Sequence, residues 1–160
     1  MYDTQLTIEQ VLSALEEQPK TIARFTRDLP PRRLHSPPAN GEWSLNDVLA
    51  HLRSCSDMWG RYIALIVEED HPTFRAVNPR TWIESTNYPA LDFTTSFEQF
   101  KKQRKKLVQF LGRLPNDAWS RSATVTGGGT PRERTVLEYA RRLANHERTH
   151  LRQIERLSKR

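Results

Sequence analysis

The stretch SLNDVLAHLRSCSDMWGRYIALI, residues 44–66, decides the fold. Leu45, Val48, Leu49, Leu52, Cys55, Trp59, Tyr62, Ile63 and Ile66 recur at intervals of three and four. That is the period of a helix with a broad apolar face, too broad for a helix lying on a surface by itself. Ser44 followed three residues later by Asp47 approximates a capping box, so the helix opens at Ser44. His51 falls on the border of the apolar stripe rather than at its centre.

Three further segments carry the same signature. Residues 7–29 place Ile8, Val11, Leu12, Leu15, Ile22 and Phe25 on one side. Pro19 lies inside this pattern and is expected to kink the helix or break it in two, and Pro30-Pro31 ends it. Residues 95–114 turn Phe97, Phe100, Leu107, Phe110, Leu111 and Leu114 inward, with the basic run 101–106 mostly toward water. Residues 132–157 align Val136, Leu137, Ala140, Leu143, Ala144, Leu151, Ile154 and Leu157. No segment reads as a strand. The expected fold is all-α, a four-helix bundle occupying residues 1–160 as a single domain. A long connection, residues 68–92, joins the second helix to the third. It carries Pro72, Pro79 and Pro89, and also Phe74, Trp82 and Tyr88, so it is expected to pack across the bundle mouth. Gly127-Gly128-Gly129 fits neither a Walker loop nor a dinucleotide fingerprint and reads as a flexible turn.

Composition narrows the function classes. A chain of 160 residues is long enough to bury a core. It has no apolar run of ~18 residues to span a membrane, and residues 1–10 lack the pattern of a signal peptide. With a single cysteine, Cys55, no internal disulfide forms, and a cytoplasmic location is expected. The formal charge of +6 is spread along helix faces rather than gathered in one patch. No helix-turn-helix, ribonucleoprotein motif or zinc-finger spacing appears, so no specific nucleic-acid partner is expected. Aromatic residues such as Trp82, read as exposed, leave a homodimer open.

The chemistry lies in the histidines. His146 and His150 are four residues apart, which stacks two imidazoles about one turn, ~6 Å, apart on a helix. A third imidazole from His51 would complete a three-histidine set with one coordination position left for water or substrate, as in catalytic zinc sites. Cys55, one turn beyond His51, is the nearest candidate to fill that position, although its place on the stripe suits a small core residue. Glu147 falls at the centre of the fourth helix's apolar face. A carboxylate there needs a cation or hydrogen bonds. It is a candidate general base, a group orienting a ligand imidazole, or the partner of an arginine on a neighbouring helix. His146-Glu147-Arg148-Thr149-His150 also matches the H-E-x-x-H pattern of zinc hydrolases. A third ligand well downstream is missing, because only ten residues follow His150. His35 and His71 lie in proline-rich loops and read as surface residues.

Two separated segments, GEWSLNDVLAHL (41–52) and NHERTHLRQI (145–154), together resemble the DinB-like superfamily of four-helix-bundle proteins, and the resemblance covers nearly the whole chain. It implies a metal site made of His51, His146 and His150 that holds one divalent ion, zinc or nickel. It also implies chemistry on a small-molecule substrate. Characterised relatives include transferases and isomerases that use a low-molecular-weight thiol as co-substrate, while other members have no known activity. Such chemistry is physically reasonable, because a metal lowers a thiol's pKa and makes it a good nucleophile near neutral pH. A metal-binding or stress-response bundle without turnover is the alternative that the same resemblance allows.

Overall fold

A computed structural model describes residues 6–160; residues 1–5, and with them half of the segment read for a leader pattern, lie outside the described residues. Four long helices form the bundle: α1 (Ile8–Thr26), α3 (Leu45–Glu68), α5 (Phe93–Gly112) and α6 (Val136–Ser158). Two short helices, α2 (Pro31–His35) and α4 (Pro79–Glu84), lie in the connections. The capping box at Ser44 is present in full: Asp47 N–H donates to Ser44 Oγ (3.1 Å) and Ser44 N–H donates to Asp47 Oδ2 (2.9 Å). Thr7 with Gln10 caps α1 in the same way. No helix among the described residues is long and apolar enough to cross a membrane.

The core has two parts. Val11, Leu15, Cys55, Trp59, Ile63, Tyr139 and Leu143 belong to one, and Ile22, Leu49, Leu52, Phe100 and Ile154 to the other. Between them lies a buried polar node that joins all four long helices. Arg104 of α5 donates from both terminal nitrogens to Glu147 of α6, to Oε1 at 2.9 Å and to Oε2 at closer range. Its Nη1 also reaches the Leu15 carbonyl of α1 (3.1 Å), and its Nη2 reaches Ser56 Oγ of α3 (3.3 Å). This node explains why Pro19 does not break α1, which runs unbroken through it. A proline has no N–H, so the carbonyl four residues earlier loses its helical partner. That carbonyl belongs to Leu15, and Arg104 supplies the missing donor.

The all-strand-free reading is corrected in one place. A three-stranded sheet, β1 (Thr73–Arg75), β2 (Ser122–Thr126) and β3 (Arg132–Thr135), sits at one end of the bundle. β2 and β3 are an antiparallel hairpin whose turn uses Gly127 (φ 98°) and Gly129 (φ 93°), conformations that glycine adopts without strain. β1 runs parallel to β2. The fourth long helix therefore starts at Val136, after a strand, and not at Arg132. The long connection packs on the bundle as expected: Phe74 stacks on Tyr62 at 4.7 Å, and Tyr62 Oη accepts from Val77 N–H (2.8 Å). Tyr88 Oη donates to Asp57 while Arg53 lies over the Tyr88 ring at 3.6 Å. Trp82, read as exposed, is half-buried against the core.

Candidate metal centre

His51 projects from the second turn of α3, and His146 and His150 project from successive turns of α6, which packs directly on α3. All three are half-buried, as their place beside the apolar stripes requires. The Nε2 atoms of His51 and His146 lie 3.0 Å apart. The ring of His150 is centred 4.8 Å from that of His51 and 4.6 Å from that of His146. Cys55 Sγ lies 3.7 Å from His51 Nε2, and the donor atoms of His51, Cys55 and His146 all fall within 4.8 Å of one another. Two tryptophans bracket the group. Trp59 meets His146 edge-on at 5.0 Å, and the partly exposed Trp43 stacks on His150 at 6.4 Å.

The protonation states suit coordination. Burial, with the neighbouring His150 and Arg80, lowers the His51 pKa to about 4. Burial, with His150, His51 and Arg142, lowers that of His146 to about 3. Both rings are therefore neutral at physiological pH, the form that binds metals. Burial, reinforced by Glu147, pushes the Cys55 thiol up to about 12, so without a metal it stays protonated. His150 Nδ1 lies 2.9 Å from Gln153 Oε1; the amide oxygen can only accept, so Nδ1 carries the proton and Nε2 is left with a free lone pair. The His146 Nδ1 is buried without a partner among the described residues, and the ring is held by its Nε2 contact with His51 and by packing against Trp59.

These donors fit a divalent cation. Two imidazole nitrogens on one tetrahedral ion with bonds of ~2.0–2.1 Å stand about 3.3 Å apart, close to the separation seen here. Neutral imidazoles with a nearby thiol suit a borderline ion such as zinc or nickel better than magnesium or calcium. Glu147, by contrast, is placed neither as a base nor as an orienting group: Arg104 holds both of its oxygens in the core. Gln153 is the residue that orients a ring, and sequence reading passed over it although it lies one turn from His150. His35 and His71 are exposed and far from this chemistry; His35 Nε2 accepts from Phe93 N–H, and His71 contacts the hairpin.

His146 and His150 also line a cavity of about 1140 Å³ between α3, α6 and the sheet. Its apolar wall includes Met58, Trp59, Tyr62 and Val125, and the connection contributes Ala76, Val77 and Pro79. A metal held by the histidines would thus face a chamber large enough for a small organic molecule.

A family model described as the DinB superfamily matches residues 14–154. The chain belongs to the DinB superfamily. Among solved structures it is similar to YfiT from Bacillus subtilis, a probable metal-dependent hydrolase with an unusual four-helix bundle topology. That match has a TM-score of 0.80 at 20% identity, covering 97% of this chain and 89% of the other. Comparison with curated protein sequences finds no significant match. The shared bundle makes the small sheet an addition to a four-helix plan rather than a different fold.

Proposed function

We propose that this DinB-superfamily protein holds one divalent ion, zinc or nickel, through His51, His146 and His150, and transfers a low-molecular-weight thiol to a small electrophile bound in the adjoining cavity. The observation that carries this reading is the clustering of three imidazole rings, two of which, His146 and His150, line that cavity. A divalent cation would supply one thing there: it would bring a thiol's pKa down to the neutral range, so that the S–H proton passes to solvent without a protein base, and the new S–C bond forms as the electrophile gives up its leaving group. The chain's residues do the rest. The three histidines hold the ion, Gln153 fixes the His150 ring, and Met58, Trp59 and Tyr62 offer the electrophile an apolar wall. Cys55 remains a core thiol in this reading, leaving the fourth position to the substrate.

A thiol is preferred to water because of where the carboxylates stand. Activating water in the H-E-x-x-H manner needs a free carboxylate beside the ion. Glu147 is committed to Arg104, and the cavity's own Glu138 is paired with Arg134 at 3.3 Å. Hydrolysis is the second reading, favoured by the likeness to YfiT.

The test mixes metal-loaded protein with a panel of small thiols and 1-chloro-2,4-dinitrobenzene. Conjugation above the uncatalysed rate, abolished by a chelator and by His150→Ala, is the expected result. A loaded protein that leaves every thiol unreacted but cleaves p-nitrophenyl acetate overturns transfer in favour of hydrolysis. A full metal complement with neither activity points to a bundle that binds metal without turnover.

A further inference from the structure

The apolar part of the cavity faces a wall of unusual charge. Arg132 and Arg134 from β3, and Arg141 and Arg142 from α6, all line it, against the single carboxylate of Glu138. Two of these arginines are already engaged. Arg134 pairs with Glu138 at 3.3 Å, and Arg141 Nε donates to the Leu6 carbonyl at 2.7 Å. The side chains of Arg132 and Arg142 have no ion pair or hydrogen bond among the described residues. Four guanidinium groups around one chamber repel each other, and Arg134 also sits just before the positive end of the α6 dipole. Arg132 and Arg142 are exposed, so solvent screens this repulsion, but two cations without a protein partner on one wall are complementary to an anion.

Position relates this wall to the histidines. Arg142, His146 and His150 are each four residues apart, so they lie along one face of α6 with ~6 Å of rise between neighbours. Arg142, His146 and His150 also line the same cavity.

We propose that the cavity takes a substrate with an apolar body and an anionic group, a carboxylate or a phosphate, gripped by Arg142 and Arg132 about one to two helical turns from the histidine cluster. This deepens the functional reading above and names the substrate class of the same site. The apolar body lies along Met58, Trp59 and Tyr62, and the anion directs the other end of the molecule toward His146 and His150. Arg142 and Arg132 are binding residues here and take no part in the chemical step.

The test uses three probes that share one ring system: 1-naphthoate, 1-naphthyl phosphate and the neutral 1-naphthalenemethanol. Binding is read from quenching of tryptophan fluorescence, with protein as purified and again after chelation. The chelated arm separates this proposal from the metal reading, because it excludes coordination of the anion by a metal. We expect at least one anion to bind about tenfold tighter than the neutral probe in both arms, roughly the size of one charge-assisted hydrogen bond. The better of the two anions identifies the group recognised. In the Arg132→Ala/Arg142→Ala variant the preference should vanish while the neutral probe binds as before. Arg148→Ala, which removes an exposed charge of α6 outside the cavity, should leave the preference intact. Equal binding of all three probes, including none at all, overturns the proposal. So does a preference that survives the double variant or is lost with Arg148.

Discussion

His146 and Glu147 are consecutive residues of α6, yet they enter opposite kinds of polar surroundings. Glu147 turns into the core, where Arg104 takes both of its oxygens and the same guanidinium also serves α1 and α3. His146 turns to the edge of the core, beside His51 and His150, with one nitrogen unpartnered and the cavity in front. The closed node is fully buried and its main charges are matched; Arg104 Nε is left unpaired, but neither Arg104 nor Glu147 lines the cavity, so the node holds helices together out of a ligand's reach. The open cluster has spare lone pairs and solvent access through the cavity, so it can accept one. Burial alone does not mark a functional site; an unsatisfied donor set beside a chamber does.

The largest expected effect comes from opening the closed node. Arg104→Ala or Glu147→Ala leaves a buried charge unmatched and should cost about 3–5 kcal/mol of stability by chemical denaturation. The Arg104→Met/Glu147→Leu pair should be less damaged than either single variant. An Arg104→Ala protein as stable as the parent would mean that the node does not hold the bundle.

Changes at the open cluster should do the reverse, reducing metal affinity while sparing the fold. Gln153→Ala should weaken metal binding about 10–100-fold, the usual cost of losing a ring-orienting partner, with unchanged melting of the metal-free protein. Equal affinity would show that the Gln153 contact does not matter to the ligand. Acid should act on the cluster as well. His51 and His146 have pKa values near 4 and 3 in the folded chain against about 6.5 when unfolded. Below pH 6.5 the unfolded state therefore takes up protons that the folded state refuses. Metal-free stability should be full above that pH and decline as pH falls toward 3. Replacing both histidines by Gln should flatten the decline in denaturation curves taken across that range. Cys55→Ala should have the smallest effect on the metal, less than about threefold in affinity if the thiol stays outside the coordination shell. Cobalt-substituted protein should then show no sulfur-to-metal charge-transfer absorption. Loss of the metal in this variant would instead make the site four-coordinate and closed.

The long helices were legible because period and caps are local: the stripe after Ser44 and the Ser44–Asp47 cap are written within a few residues. The i, i+4 histidine pair was legible for the same reason. What escaped was non-local. β1 pairs with β2 across a gap from Thr73 to Thr124, and strands of three to five residues carry too little pattern to be heard above helices. Pro19 was read as a break because its rescue comes from Arg104, far along the chain. Arg104 itself had left a trace. It stands between Phe100 and Leu107 at stripe spacing, but a run of five basic residues hid it. The meeting of His51 with the pair came from family resemblance, since helix periodicity fixes which face a residue takes and not which helix it meets. The arginine wall was invisible because β3 and α6 become one surface only after folding.

The most direct measurement is metal content after purification without chelator, followed by stoichiometric titration of the parent and of His51→Ala, His146→Ala and His150→Ala. One ion per chain, lost in each of the three variants while their helical content persists, is the predicted result. A parent that takes up no zinc or nickel, or a His51→Ala protein that binds as tightly as the parent, would contradict a shared three-imidazole centre.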